Sequence, residues 1–121
     1  MKPNFFKSVS FALNGLRLAW HEKHFKIHIV AAIVCIGLGL VLGIERVEWF
    51  AILICIGAVL SLEMINTAIE HLVDLVEPNY NPKAGAIKDL AAGAVLVFSI
   101  ISAIVGIMIF GKYILALLFL N

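Results

Sequence analysis

Residues 90–111 read LAAGAVLVFSIISAIVGIMIFG, a run of uncharged and mostly apolar side chains. A helix needs roughly 20 residues to cross the hydrocarbon core of a bilayer, so this run is long enough to span a membrane by itself. Two further apolar runs precede it, at 29–44 and 47–62, and they reach that length once their helices continue into the polar flanks. Because a backbone in lipid must satisfy its own hydrogen bonds, the three runs predict three transmembrane helices.

The composition leads to the same fold class. Of the 121 residues, 63% are hydrophobic and 14% are charged, against about 45–50% and about 25% in a soluble domain. Such a chain is not disordered, a nucleic-acid-binding arm or a disulfide-rich secreted scaffold. The two cysteines, Cys35 and Cys55, lie in separate apolar runs and are interpreted as packing residues. We therefore predict a single all-α integral membrane domain over residues 1–121.

The boundaries of the helices follow from the patterning. We predict an amphipathic surface helix at 4–24 and transmembrane helices at 25–44, 47–76 and 86–120, with a loop at 77–85 where prolines and asparagines cluster. Apolar side chains at helical spacing are typical of a helix lying on a membrane surface. Here they are Phe5, Phe6, Val9, Leu13, Leu16 and Trp20.

Basic residues predict the orientation of the chain in the membrane. Five precede the first span, namely Lys2, Lys7, Arg17, Lys23 and Lys26. The connection before the last span carries Lys83 and Lys88, whereas the connection between the first two spans carries only Arg46. By the positive-inside rule the N-terminus and the loop at 77–85 are cytoplasmic, and the C-terminus is outside.

A row of polar side chains continues beyond the second apolar run. Separations of three, four and four residues place Glu63, Asn66, Glu70 and Asp74 on one helix face, which we call the acidic seam. The other faces stay apolar as far as Val76, which favours a helix at the membrane boundary over one with a solvated face. Ionisable groups in such a position are costly and tend to be functional. Carboxylate oxygens suit Mg²⁺, which usually takes one or two carboxylates together with phosphate oxygens.

Two more polar pairs lie near the same predicted boundary. Lys88 and Asp89 open the last helix, and a lysine there suits a phosphate group, although a charge pair at a helix start would explain it too. Glu22 and Lys26 are four residues apart, which a surface salt bridge would also explain. The sequence contains neither GxxxxGK[ST] nor GxGxxG. Together these features favour phosphoryl transfer to a lipid, with Mg²⁺ on the phosphates of ATP and one carboxylate as general base.

Two other functions remain open from the residues alone. A small ion or proton carrier would use the acidic seam to relay cations, and its acids should then reach the bilayer centre rather than one end of the helix. A non-catalytic assembly subunit would use the seam for hydrogen bonds between subunits, and Mg²⁺ would not affect it.

The order of these residues resembles that of the prokaryotic diacylglycerol kinase family, which includes undecaprenol kinases. The resemblance is carried by Glu63-x-x-Asn66-Thr67-Ala68-Ile69-Glu70-x-x-Val73-Asp74 and by Ala86-x-Lys88-Asp89-x-Ala91-Ala92-Gly93-Ala94-Val95. It extends over nearly the whole chain through Gly15-Leu16-Arg17-x-Ala19-Trp20 and Glu22-x-x-Phe25.

This resemblance implies a homotrimer in a bacterial cell membrane, with active sites shared between neighbouring subunits at the cytoplasmic boundary. It implies that Glu63 is the general base and that Glu22 and Glu70 bind Mg²⁺. The other nucleotide-site residues that it implies are Asn66, Asp74, Tyr80, Asn81, Lys88 and Asp89, with Tyr80 and Asn81 near the adenosine. Asn81 stands where many members have histidine, and His28 where some have glutamate. The acceptor that it implies is undecaprenol or diacylglycerol, and the stretches at 25–28 and 92–95 look closer to the undecaprenol kinases.

Overall fold

The chain folds into four α-helices in the computed structural model, which describes residues 2–120. They are α1 (Phe5–Ala19), α2 (Lys23–Leu42), α3 (Arg46–Val76) and α4 (Pro82–Phe119). The last three are long and apolar enough to cross a membrane, and the described part of the chain contains no strand. The predicted all-α architecture, with one short helix ahead of three long apolar ones, is confirmed.

The first break in the helical chain lies earlier than expected. The predicted surface helix extends to residue 24, whereas α1 ends at Ala19 and α2 already begins at Lys23. Between them the backbone N–H of Glu22 donates to the carbonyl of Ala19 at 2.9 Å, a tight turn that closes α1. Glu22 itself is extended and precedes the first turn of α2. The turn therefore places Glu22 at a corner between two helices rather than on the face of one.

A glycine in the left-handed backbone conformation separates α2 from α3. Gly43 has φ 64° and ψ 50°, a backbone conformation that side chains with a Cβ rarely adopt. α3 then opens with a capping box, in which Glu48 accepts from the backbone N–H of Glu45 at 3.0 Å. This short connection sets α2 and α3 side by side.

The loop before α4 is shorter than predicted. The sequence predicts a loop at 77–85, but α4 begins at Pro82, so residues 82–85 are helical. The side-chain oxygen of Asn81 accepts from the backbone N–H of Lys83 at 2.9 Å and caps the helix. Proline favours the first helical position because its fixed φ suits the helix and its missing N–H would have no partner there. The same proline that suggests a loop therefore starts the helix.

Polar contacts tie α3 and α4 together at both ends. At one end the Lys88 ammonium donates to the Asp74 carboxylate. At the other, Glu48 receives a hydrogen bond from the Tyr113 hydroxyl at 2.5 Å and lies 2.7 Å from the Lys112 ammonium. We call this second group the Glu48 clamp. It adjoins an apolar core cluster formed by Ile44, Ile52, Ile109 and Phe110.

Candidate active site

Glu63 is the most enclosed member of the acidic seam. Only 4% of this residue is exposed, and its Oε2 atom lies 3.7 Å from Nε2 of His28 on α2. The carboxylate is thus held between two spanning helices, away from bulk water. A buried carboxylate in this setting can accept a proton from a group brought next to it.

Asn66 lies one turn further along α3 and is also buried. Its amide nitrogen donates to Oε1 of Glu70 at 3.1 Å, which orients that carboxylate. Its amide oxygen is buried and has no hydrogen-bond partner among residues 2–120. An unpaired buried acceptor is costly, so this oxygen is available to a ligand.

Glu22 reaches the same region from the corner between α1 and α2. Its Oε1 atom is 3.7 Å from Nε2 of His71, the residue that follows Glu70 on α3. The structure therefore brings Glu22 to α3 beside His71, although 41 positions separate it from Glu63 in the sequence. The sequence predicts no catalytic or binding role for His71 or His28, because the partner of each comes from a distant part of the chain.

Lys88 and Asp74 face each other across the end of α3 and the start of α4. The pair is partly exposed, and exposed ion pairs contribute only about 0–1 kcal/mol. The ammonium of Lys88 is therefore not locked in place and can exchange Asp74 for another anion.

An open cavity of about 580 Å³ lies between this pair and the loop before α4. The residues implied for nucleotide binding that line it are Asp74, Tyr80, Asn81, Lys88 and Asp89. Tyr80 is 95% exposed, so its ring is free to stack on a planar group. Asn81 uses its side-chain oxygen to cap α4. Its amide nitrogen can therefore donate a hydrogen bond to a ligand.

The donors near the seam fit Mg²⁺ better than a soft metal. Glu22, Glu70 and the free oxygen of Asn66 are hard oxygen groups, which Mg²⁺ prefers. Within residues 2–120, no three or more histidine, cysteine or acidic side chains come close enough to form a complete metal cage. Mg²⁺ usually takes few protein carboxylates and completes its shell with phosphate oxygens and water.

A second cavity, apolar and about 280 Å³ in volume, lies deeper between α2, α3 and α4. His28, which contacts Glu63, is part of its lining. The candidate site therefore has a polar side, open at the loop, and an apolar side within the spanning helices. Glu63 contacts His28, and His28 lines the apolar cavity.

The amino-acid sequence is similar to those of known proteins. A profile of the family described as prokaryotic diacylglycerol kinase matches residues 10–110. The undecaprenol kinase of Bacillus subtilis (strain 168) is 45% identical over 107 residues, which cover 88% of this chain and 87% of that protein. The diacylglycerol kinase of Helicobacter pylori (strain ATCC 700392 / 26695) is 36% identical over 113 residues, with 93% and 85% covered. That of Escherichia coli (strain K12) is 28% identical over 99 residues, with 81% of each chain covered.

Proposed function

Because this chain belongs to the prokaryotic diacylglycerol kinase family and is a lipid kinase, we propose that it transfers the γ-phosphate of ATP to a membrane lipid alcohol. Undecaprenol is the proposed acceptor, supported by the 45% identity to an undecaprenol kinase against 36% to a diacylglycerol kinase. Diacylglycerol is the alternative acceptor. Both are alcohols with a primary hydroxyl at the membrane surface.

Glu63 is the proposed general base, and its burial beside the spanning helices is the observation that carries the proposal. A lipid hydroxyl reaches such a carboxylate from within the bilayer, whereas water is kept away from it. The base takes the proton of the hydroxyl as the lipid oxygen bonds to the γ-phosphorus. His28 at 3.7 Å helps to hold the carboxylate in place.

Glu22 and Glu70 are the proposed ligands of Mg²⁺. When bound, the ion would neutralise charge on the phosphates of ATP. Asn66 orients Glu70 through its amide nitrogen and can offer its free oxygen to the same complex. Lys88 binds a phosphate in exchange for Asp74, and Asp89 lies beside it in the sequence to orient it. Tyr80 and Asn81 bind the adenosine in the open cavity.

The proposed setting is a bacterial cell membrane. The N-terminus and the loop before α4 face the cytoplasm, where ATP is, and the C-terminus faces outward, as the basic residues favour. α1 lies on the inner surface of the membrane, since large apolar side chains such as Phe5 and Phe6 are exposed on it. The assembly is proposed to be a homotrimer with active sites shared between neighbouring subunits.

Replacement of the base tests the proposal. Glu63→Gln keeps the shape of the side chain but cannot take a proton, so transfer of labelled γ-phosphate to undecaprenol in detergent micelles should fall about 10²- to 10⁴-fold. Glu45→Gln is the matched control, because Glu45 caps the far end of the same helix and is exposed. It should keep the activity of the unmodified protein.

The outcome is informative in each direction. Transfer that needs Mg²⁺ and disappears in Glu63→Gln supports the proposal, and a parallel assay with diacylglycerol decides the acceptor. Full activity of Glu63→Gln would remove this residue as base. If the unmodified protein transfers phosphate to neither alcohol, the proposed function is wrong.

A further inference from the structure

One residue that lines the apolar cavity between α2, α3 and α4 carries an unpaired polar group. Its lining is mostly apolar and small, as in Ala32, Ala103 and Gly106. The hydroxyl of Ser99 is buried and lacks a hydrogen-bond partner among residues 2–120. A buried hydroxyl without a partner is destabilising, so the packing of this one chain does not account for it.

Ser102 lines the same cavity one turn further along α4 and provides a direct comparison. Its hydroxyl donates to the backbone carbonyl of Phe98 at 2.7 Å, so its hydrogen-bonding capacity is used within the helix. Serines in apolar helices commonly bond to the backbone in this way. Ser99 lines the same cavity without such a bond, and its hydroxyl has no partner in the described part of the chain.

The pairing of α3 and α4 sets Ser99 at the depth of Glu63. The contact between Asp74 and Lys88 shows which residues of the two helices face each other at one end. From that contact, eleven residues lead back along α3 to Glu63, and eleven lead forward along α4 to Ser99. At 1.5 Å per residue both lie about 16 Å from the contact. His28 links the two, because it lines the cavity and contacts Glu63.

We infer that Ser99 binds the acceptor lipid and that its hydroxyl donates a hydrogen bond to the hydroxyl oxygen of the alcohol. The inference rests on the proposed function. In the reaction the O–H bond of the lipid breaks and its proton passes to the Glu63 carboxylate. The lipid oxygen bonds to the γ-phosphorus as the bond from that phosphorus to ADP breaks. Ser99 keeps its own proton throughout and bonds more strongly as negative charge develops on the lipid oxygen.

The occupant of the cavity is therefore the hydroxyl-bearing end of the lipid alcohol. The apolar lining suits its hydrocarbon, and the Ser99 hydroxyl suits its oxygen. Since the cavity lies within the spanning helices, the alcohol reaches it from the bilayer, whereas ATP reaches the open cavity at the loop. The two substrates thus meet near Glu63 from opposite sides.

Ser99→Ala is the test variant, and Ser10→Ala is a serine-to-alanine control outside both cavities. We expect Ser99→Ala to lower kcat/KM for the lipid alcohol about tenfold, as for the loss of one hydrogen bond, with the KM for ATP unchanged. Ser10→Ala should stay within about twofold of the unmodified protein, because Ser10 is exposed on α1 and lines neither cavity. Thermal unfolding in the same micelles should show no loss of stability in Ser99→Ala, because no hydrogen bond within the protein is removed.

The possible results separate this inference from the proposed function. Phosphate transfer by the unmodified protein, together with normal lipid kinetics in Ser99→Ala, would overturn the role of Ser99 alone. A lower unfolding temperature in Ser99→Ala would also overturn it, since the hydroxyl would then be bonded within the assembly, for example to another copy of the chain. Absence of transfer by the unmodified protein would reject the proposed function, and the role of Ser99 with it.

Discussion

Lys88 has two alternative anionic partners in the proposed reaction, the carboxylate of Asp74 and a phosphate of ATP. In the structure its ammonium lies against Asp74 at the rim of the open cavity. The pair is partly exposed, and its contribution to folding is small. A lysine held this loosely acts as a mobile point charge, which suits a phosphate that arrives and leaves in each turnover.

We predict that replacing Lys88 weakens ATP binding without much effect on the stability of the fold. Lys88→Met should raise the KM for ATP about tenfold or more and change the unfolding temperature by only a few degrees. Lys83→Met is the control, because Lys83 is exposed in the first turn of the same helix. Steady-state kinetics and thermal unfolding measure the two effects. A large loss of stability with unchanged KM would instead make Lys88 a structural residue.

Single residues also show how much of the candidate site could be predicted from the sequence. The spacing of Glu63, Asn66, Glu70 and Asp74 places them on one face of a helix, since 3.6 residues complete each turn. The partners of that face come from elsewhere. His28 and Ser99 belong to other helices, and their depth relative to the seam depends on the interhelical register, which periodicity within one helix does not contain.

At the scale of the helices, the close contact between α2 and α3 depends on residue 39 being a glycine. Gly39 is buried, and a Cβ atom placed on it would lie 2.7 Å from the ring of Trp49. That distance is well inside van der Waals contact, so the ring fits only because residue 39 is glycine. The two helices can approach closely here, as small residues allow in membranes.

We expect Gly39→Ala to destabilise the protein by about 1–3 kcal/mol, because the indole must move. The emission of Trp49, measured with Trp20→Phe in place, should shift as well. Gly37→Ala is the control, since nothing lies within 4 Å of a Cβ at that position. It should leave both the stability and the emission unchanged. Equal effects of the two substitutions would contradict close packing at Gly39.

The Glu48 clamp lies fifteen residues from Glu63 on α3, about 22 Å along the helix. Tyr113→Phe removes the hydrogen bond to a carboxylate that is only 9% exposed. We expect it to lower the unfolding temperature more than Lys112→Met, because Lys112 is half exposed. Both variants should keep normal kcat/KM. A loss of activity without loss of stability would connect the clamp to the reaction.

The helix boundaries show why local sequence signals can mislead. Pro82 and the asparagines near it suggest a loop through residue 85, yet Asn81 and Pro82 form a helix start. Proline is compatible with both a turn and a first helical turn, and only the residues that follow decide between them. The long apolar runs have no such ambiguity, which is why the three spanning helices were predictable.

At the scale of the whole molecule, an odd number of spans separates the two termini. Three crossings place the C-terminal end of α4 on the opposite side of the membrane from α1, and on the opposite side from the loop before α4. The basic residues near the N-terminus favour a cytoplasmic location for α1 and for the loop before α4. Every group proposed for ATP binding then faces the cytoplasm.

Cysteine labelling in intact bacterial cells tests this orientation. With Cys35 and Cys55 replaced by alanine, Leu120→Cys should react with a membrane-impermeant maleimide. Tyr80→Cys, at a position 95% exposed, should react only after the membrane is permeabilised. Labelling of Tyr80→Cys in intact cells, with Leu120→Cys protected, would reverse the proposed orientation.

The ties at both ends of α3 and α4 also constrain how this protein can move. Sliding one helix along the other by a single turn would shift it by 5.4 Å and break the Asp74–Lys88 contact and the Glu48 clamp together. Because Lys88 exchanges Asp74 for a phosphate in the proposed reaction, the Glu48 clamp is the contact that keeps the register of α3 and α4 throughout the proposed turnover. Side chains facing the apolar cavity can then be exchanged to suit a different alcohol while the phosphate-handling end keeps its alignment.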